Sequence, residues 1–119
     1  METRIQNTLK IEELFMFLLS IYLFNELSYS WWVFPALILL PDIGMLGYLV
    51  NTKMGAFTYN LFHHKAIAII TLFIGYYIQN EVVTLSGIIL FGHSSMDRIF
   101  GYGLKYQDSF KHTHLGMLN

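Results

Sequence analysis

The residues of this 119-residue chain best able to bind a metal ion or move a proton are its five histidines and three aspartates. Asp42 follows a proline; His63 and His64 stand side by side with Lys65 after them; His93 and Asp97 lie four apart; His112 and His114 flank a threonine near the end, with Asp108 just upstream. Four residues is about one helical turn, so His93 and Asp97 suit either two ligands of one ion or a carboxylate orienting an imidazole. Two residues apart in an extended segment puts His112 and His114 on one side, where both reach one ion. With no cysteine in the chain, thiolate nucleophiles, disulfides and thiolate zinc sites are excluded, and any metal must be held by imidazole and carboxylate.

The elements that carry these residues are apolar. Hydrophobic residues make up 55% of the chain and charged residues 13%. With a mean hydropathy of +0.48, lipid is the expected solvent for a chain of this size. A net charge of −1 offers no basic field for a nucleic-acid backbone, so nucleic acid is not an expected partner. Four apolar segments, 9–28, 31–50, 56–78 and 82–102, each approach the length of about 20 residues that crosses a hydrocarbon core. The predicted fold is therefore all-α: a polytopic four-transmembrane-helix bundle in a single domain, 1–119, with a tail from residue 103. Asn7 or Thr8 is the expected cap of the first helix, and Gly101 and Gly103 suit the end of the last.

Lysine and arginine gather on the cytoplasmic side of membrane spans. With the N-terminus inside, Arg4, Lys10, Lys53, Arg98, Lys105 and Lys111 all fall on one side, whereas the connections near Glu26 and Glu81 hold none. Both termini are thus expected in the cytoplasm, and Trp31 and Trp32 at the opposite interface. Pro35 and the run Pro41-Asp42-Ile43-Gly44 break the second helix, because proline removes a backbone donor. Irregular backbone at membrane depth must face protein or water, which aims Asp42 into the bundle.

Counted at about 1.5 Å per residue, Asp42 and His93 both lie roughly 16 Å from the outer end, and His63 and His64 reach a similar level from the other side. Along the third span His64 shares a small and polar stripe with Asn60, Ala68, Thr71 and Gly75, while His63 shares its face with Tyr59 and Ile70, so His64 is the expected inward ligand. Lys65 is expected to be buried or to reach back to the interface. Glu12 and Glu13 stand at the depth of the tail histidines.

The stretches Pro41-Asp42-Ile43-Gly44-Met45-Leu46-Gly47-Tyr48, Gly92-His93 through Asp97-Arg98, Gly101 through Tyr106 and Thr113-His114-Leu115-Gly116 carry a resemblance that covers nearly the whole chain. The chain resembles the small bacterial integral-membrane proteins classed as domain of unknown function 4260, which implies the membrane class and no activity. The order of Pro41-Asp42, His63-His64 and His93 with Asp97 is also similar to that of membrane-bound metal-dependent hydrolases, whose longer His-Arg-x-x-Thr-His-Ser signature this chain lacks.

The reading that follows is a membrane protein in which Asp42, His64, His93 and Asp97 hold a divalent ion, zinc being the expected one. His63, His112 or His114 would complete the site or supply acid and base, and a hydrolase acting on a lipid-like substrate is the expected activity. A proton-coupled carrier working as a homo-oligomer, and a scaffold whose polar layer only fixes helix packing, are the alternatives. A haem between His64 and His93 has less support.

Overall fold

The computed structural model describes residues 3–102, 104, 112–113 and 115–117. In order these form α1 (Thr3–Asn25), α2 (Val33–Leu37), a 3-10 helix (Leu40–Leu49), α3 (Thr52–His63), α4 (Lys65–Tyr77) and α5 (Glu81–Ile99). Two short strands follow, β1 (His112–Thr113) antiparallel to β2 (Gly116–Met117). Apart from that pairing the fold is all-helical.

Among the described residues no helix is long and apolar enough to cross a membrane. The second and third apolar segments are not single helices. The second is α2 followed by the 3-10 helix, with Pro35 in the first turn of one and Pro41 near the start of the other. Both are places where a missing N–H costs little. The third divides at His64, whose backbone turns extended (φ −88°, ψ 117°). His64 ends α3 and begins α4, accepting the Ala66 N–H on its own ring nitrogen at 3.1 Å. At the N-terminus α1 starts at Thr3, so neither Asn7 nor Thr8 caps it; the Thr8 hydroxyl turns back to donate to the Arg4 carbonyl.

α5 is the hub. Its buried residues run from Thr84 to Ser95, and α1 and α4 lie against it. Phe24, Phe34, Leu72, Leu85, Ile88 and Ile89 form the apolar core where these helices and α2 meet. Burying each such side chain contributes about 1.5–3 kcal/mol. α1 comes close to α5 at Gly92, where an added Cβ would stand 2.7 Å from the buried Ser20 hydroxyl. Asn80 starts α5 by accepting from Val82 and Val83 N–H. Gly101 (φ +91°) ends it: Gly101 N–H donates to the Arg98 carbonyl and Tyr102 N–H to the Asp97 carbonyl, at 3.1 and 2.8 Å. This double bond pattern requires a left-handed residue, for which glycine is the low-cost choice.

The 3-10 helix lies along α3. Ten residues is long for this conformation, whose hydrogen-bond geometry is poor. Close backbone contact compensates. A Cβ on Gly44 would meet the Thr58 carbonyl at 2.8 Å, and the Thr58 hydroxyl donates to the Gly44 carbonyl at 2.5 Å. That contact fixes the turn that carries Asp42.

Candidate metal centre

Three separate segments bring four side chains together: Asp42 from the 3-10 helix, His63 from the last turn of α3, and His93 with Asp97 from α5. One ligand atom from each lies within 4.8 Å of all the others. His93 Nε2 is 2.9 Å from Asp42 Oδ1, 2.9 Å from His63 Nε2 and 3.3 Å from Asp97 Oδ2. His63 Nε2 is 3.0 Å from Asp97 Oδ2 and 3.5 Å from Asp42 Oδ1. A tetrahedral ion with ligands at about 2.0–2.2 Å would separate those ligands by about 3.3–3.6 Å. Five of the six separations, at 2.9–3.5 Å, lie near that spacing, so small shifts of the side chains would seat an ion.

Proton placement says more than distance. His93 Nδ1 lies 2.5 Å from the Ile38 carbonyl and His63 Nδ1 lies 2.8 Å from the Tyr59 carbonyl. A carbonyl only accepts, so each Nδ1 carries a hydrogen, and in the neutral rings both Nε2 lone pairs point inward. Two N–H groups cannot face each other at 2.9 Å, so at least one Nε2 is unprotonated. With both rings neutral, the centre holds only acceptors: two imidazole lone pairs and two carboxylates. With neutral rings the group carries a charge of −2, which one divalent cation balances. Buried charge of this kind must be paired or coordinate a metal.

Three of the four ligands are held from outside. Tyr59 stacks on the His63 ring, with centroids 3.8 Å apart and planes 8° from parallel, and donates its hydroxyl to Asp97 Oδ2 at 3.2 Å. The break at His64 leaves the His63 carbonyl outside any helix, where it accepts from the Ser94 hydroxyl at 2.9 Å and from Arg98 Nη2 at 3.4 Å. The end of α2 similarly frees the Ile38 carbonyl for His93. Both chain breaks thus supply the acceptors and anchors that orient the imidazoles. The side chains of His93, His63 and Asp97 are 0%, 4% and 13% exposed, whereas that of Asp42 is 42% exposed. The centre opens to its surroundings on the Asp42 side.

Asp42, His93 and Asp97 thus come together as their spacing predicts, but the fourth member is His63, not His64. His64 is exposed and occupied as a cap. It is not positioned to share a haem with His93, whose Nε2 already faces His63 and the two aspartates. The signal for His63 was present in α3 alone, where Ala56, Tyr59 and His63 repeat at spacings of three and four and are all buried. His112 lies in β1 without a described side chain, and Asp108 and His114 lie outside the described residues. Glu13 is buried and pairs with Lys65, which also meets the Met16 sulfur and sits 6.0 Å from the centre of the Phe91 ring. Lys65 is therefore held inside the bundle by a carboxylate of α1 and does not reach the surface unpaired.

No curated protein and no solved structure matches the chain. One family model does, over residues 6–118, and by that match the chain belongs to the family described as domain of unknown function DUF4260.

Proposed function

We propose that this protein binds one divalent metal ion, zinc being the best fit, through Asp42, His63, His93 and Asp97, and that it uses the ion in hydrolysis at a lipid interface. The observation that carries this reading is the convergence of two imidazole Nε2 atoms, each ring held through Nδ1 by a backbone carbonyl, on two carboxylates. Nitrogen and oxygen donors, four in number and spaced near tetrahedral edges, suit zinc. With Asp42, the most exposed of the four, yielding its position to water, the ion would lower the pKa of that water toward about 7 and so provide a nucleophile without serine or cysteine. Asp42 is the ligand through whose exposed side water and substrate would arrive. The sequence order shared with membrane-bound metal-dependent hydrolases agrees with this assignment.

Placement in a bilayer is part of the proposal. Leu14, Phe15, Leu18, Leu19 and Tyr22 leave one face of α1 between 44% and 66% exposed, and Leu49, Phe73 and Tyr77 are exposed by 85%, 66% and 89%. Contiguous apolar surface of this extent marks a membrane or protein contact. The lysine and arginine distribution would put both termini in the cytoplasm. Resistance of the expressed protein to alkaline carbonate extraction supports this placement, and its release in the wash refutes it.

A second reading has an observation of its own: four protein ligands form a closed set, as in structural zinc sites. In that case the ion fastens the 3-10 helix and α3 to α5 without catalysis. Elemental analysis of purified protein beside His93→Ala tests the metal itself, with about one ion per chain expected in the wild type and little in the variant. A metal-free wild type overturns both readings. Hydrolysis of a lipid ester, amide or phosphoester that is lost with the ion selects the first.

A further inference from the structure

Beside the metal centre lies a groove of 280 Å³ with one polar contributor, Ser86. Its buried residues are Pro41, Leu85 and Ile89, and its exposed lips are Leu40, Ile43 and Val82. Pro41 and Ile43 flank Asp42 in sequence, Phe62 precedes His63, and Ile89 and Leu90 stand one helical turn before His93. The groove is thus lined by chain neighbours of Asp42 and His63 and by residues one helical turn before His93. From Leu90 it follows α5 back to Val82, about 12 Å at 1.5 Å per residue.

Resting on the metal reading above, we propose that this groove is the chain-binding subsite of the same centre. Its occupant is one linear acyl or alkyl chain of a single-chain amphiphile whose polar head meets the ion. The chemistry of the walls selects the chain. Ser86 donates its hydroxyl to the Val82 carbonyl at 2.8 Å, so the walls offer little to a polar ligand. The size selects its length: at about 30 Å³ for a water-sized group, the groove takes roughly eight to ten carbons. The lips open sideways, so the chain enters from lipid while the head stays at the level of Asp42.

The probes are alkyl hydroxamates from two to ten carbons, whose oxygens chelate zinc, titrated against zinc-loaded protein in nanodiscs. Ser86→Trp supplies the comparison, since Ser86 is exposed on the groove and is not one of the four ligands. Partition of the probe into lipid is common to both proteins, so the ratio of their affinities isolates the groove. Equal binding of the two-carbon probe is expected, with the ratio growing toward the limit of about fourfold per methylene and reaching about tenfold or more at eight carbons. A diazirine at the chain end should label Leu37, Val82 or Leu85 in preference to lipid-facing Phe73. Zinc and the two-carbon probe bound normally, with a ratio that stays flat, overturns the groove alone. So does a change of oligomeric state in Ser86→Trp, which would make this face a contact between copies. Protein that takes up no zinc overturns the metal reading and the groove with it.

Discussion

Adjacent histidines with opposite roles permit a sharp test. His63→Ala removes one of four converging donors and leaves the face of Tyr59 uncovered; His64→Ala removes a helix cap from the exposed surface. Loss of one ligand is expected to weaken metal binding by about 100-fold, or about 2.7 kcal/mol. At zinc a thousandfold above the wild-type Kd, binding stabilises the native protein by about 4 kcal/mol. The His63 variant at the same zinc concentration retains only about 1.4 kcal/mol. At about 4 °C per kcal/mol the zinc-dependent rise in Tm should be about 10 °C smaller in the variant. His64→Ala behaves differently: it loses about 0.5–2 kcal/mol of capping energy with and without zinc, and keeps the full zinc increment. The assay is thermal unfolding of detergent-solubilised protein across a zinc titration, with metal content measured on the same samples. Equal zinc increments in wild type and His63→Ala would refute the assignment, and loss of the increment in His64→Ala alone would restore the reading based on an unbroken helix.

Tyr59→Phe keeps the stack on His63 but removes the hydroxyl donated to Asp97, so zinc affinity should fall about 10–100-fold with little change in helix content, measured by competition with a chromophoric chelator. Lys65→Met leaves Glu13 buried without its cation and should cost about 3–5 kcal/mol, whereas the Glu13→Leu, Lys65→Met pair should recover most of that in denaturant unfolding. Gln79 holds a φ of 54° at the end of α4, so Gln79→Gly should stabilise the fold by about 1 kcal/mol. Gly101→Ala should destabilise by a similar amount, about 1 kcal/mol by the same unfolding measurement.

Much of the centre was legible because local spacing survives folding. The step from His93 to Asp97 lies within one helix, so a four-residue interval became a shared face. Asp42 followed from Pro41, which forbids a regular helix and leaves a short segment that must be satisfied from elsewhere. The choice between His63 and His64 failed for a specific reason. Assigning faces by counting around a helix holds only while the helix continues, and no proline or glycine announces the break at His64. That break is set by tertiary partners, Ser94 and Arg98 on the His63 carbonyl, which lie more than thirty residues downstream. Part of the small-residue stripe was nevertheless correct beyond the break, since Ala68 and Gly75 do meet α5. Apolar length alone was also a poor guide to the helices, because two of the four segments are divided by backbone that the site needs open.

The scatter of the ligands along the chain has a consequence for how the protein is made. Asp42 and His63 leave the ribosome well before His93 and Asp97, which stand 30 and 34 positions beyond His63. Until α5 emerges the nascent chain holds one carboxylate and one imidazole of the set, too few to retain zinc against cellular competitors. A preformed site rarely exists before folding, so an ion bound as proposed would be acquired late, and its capture would close the loop between His63 and His93. Metal loading would then mark the point at which α5 has been made and has found its place.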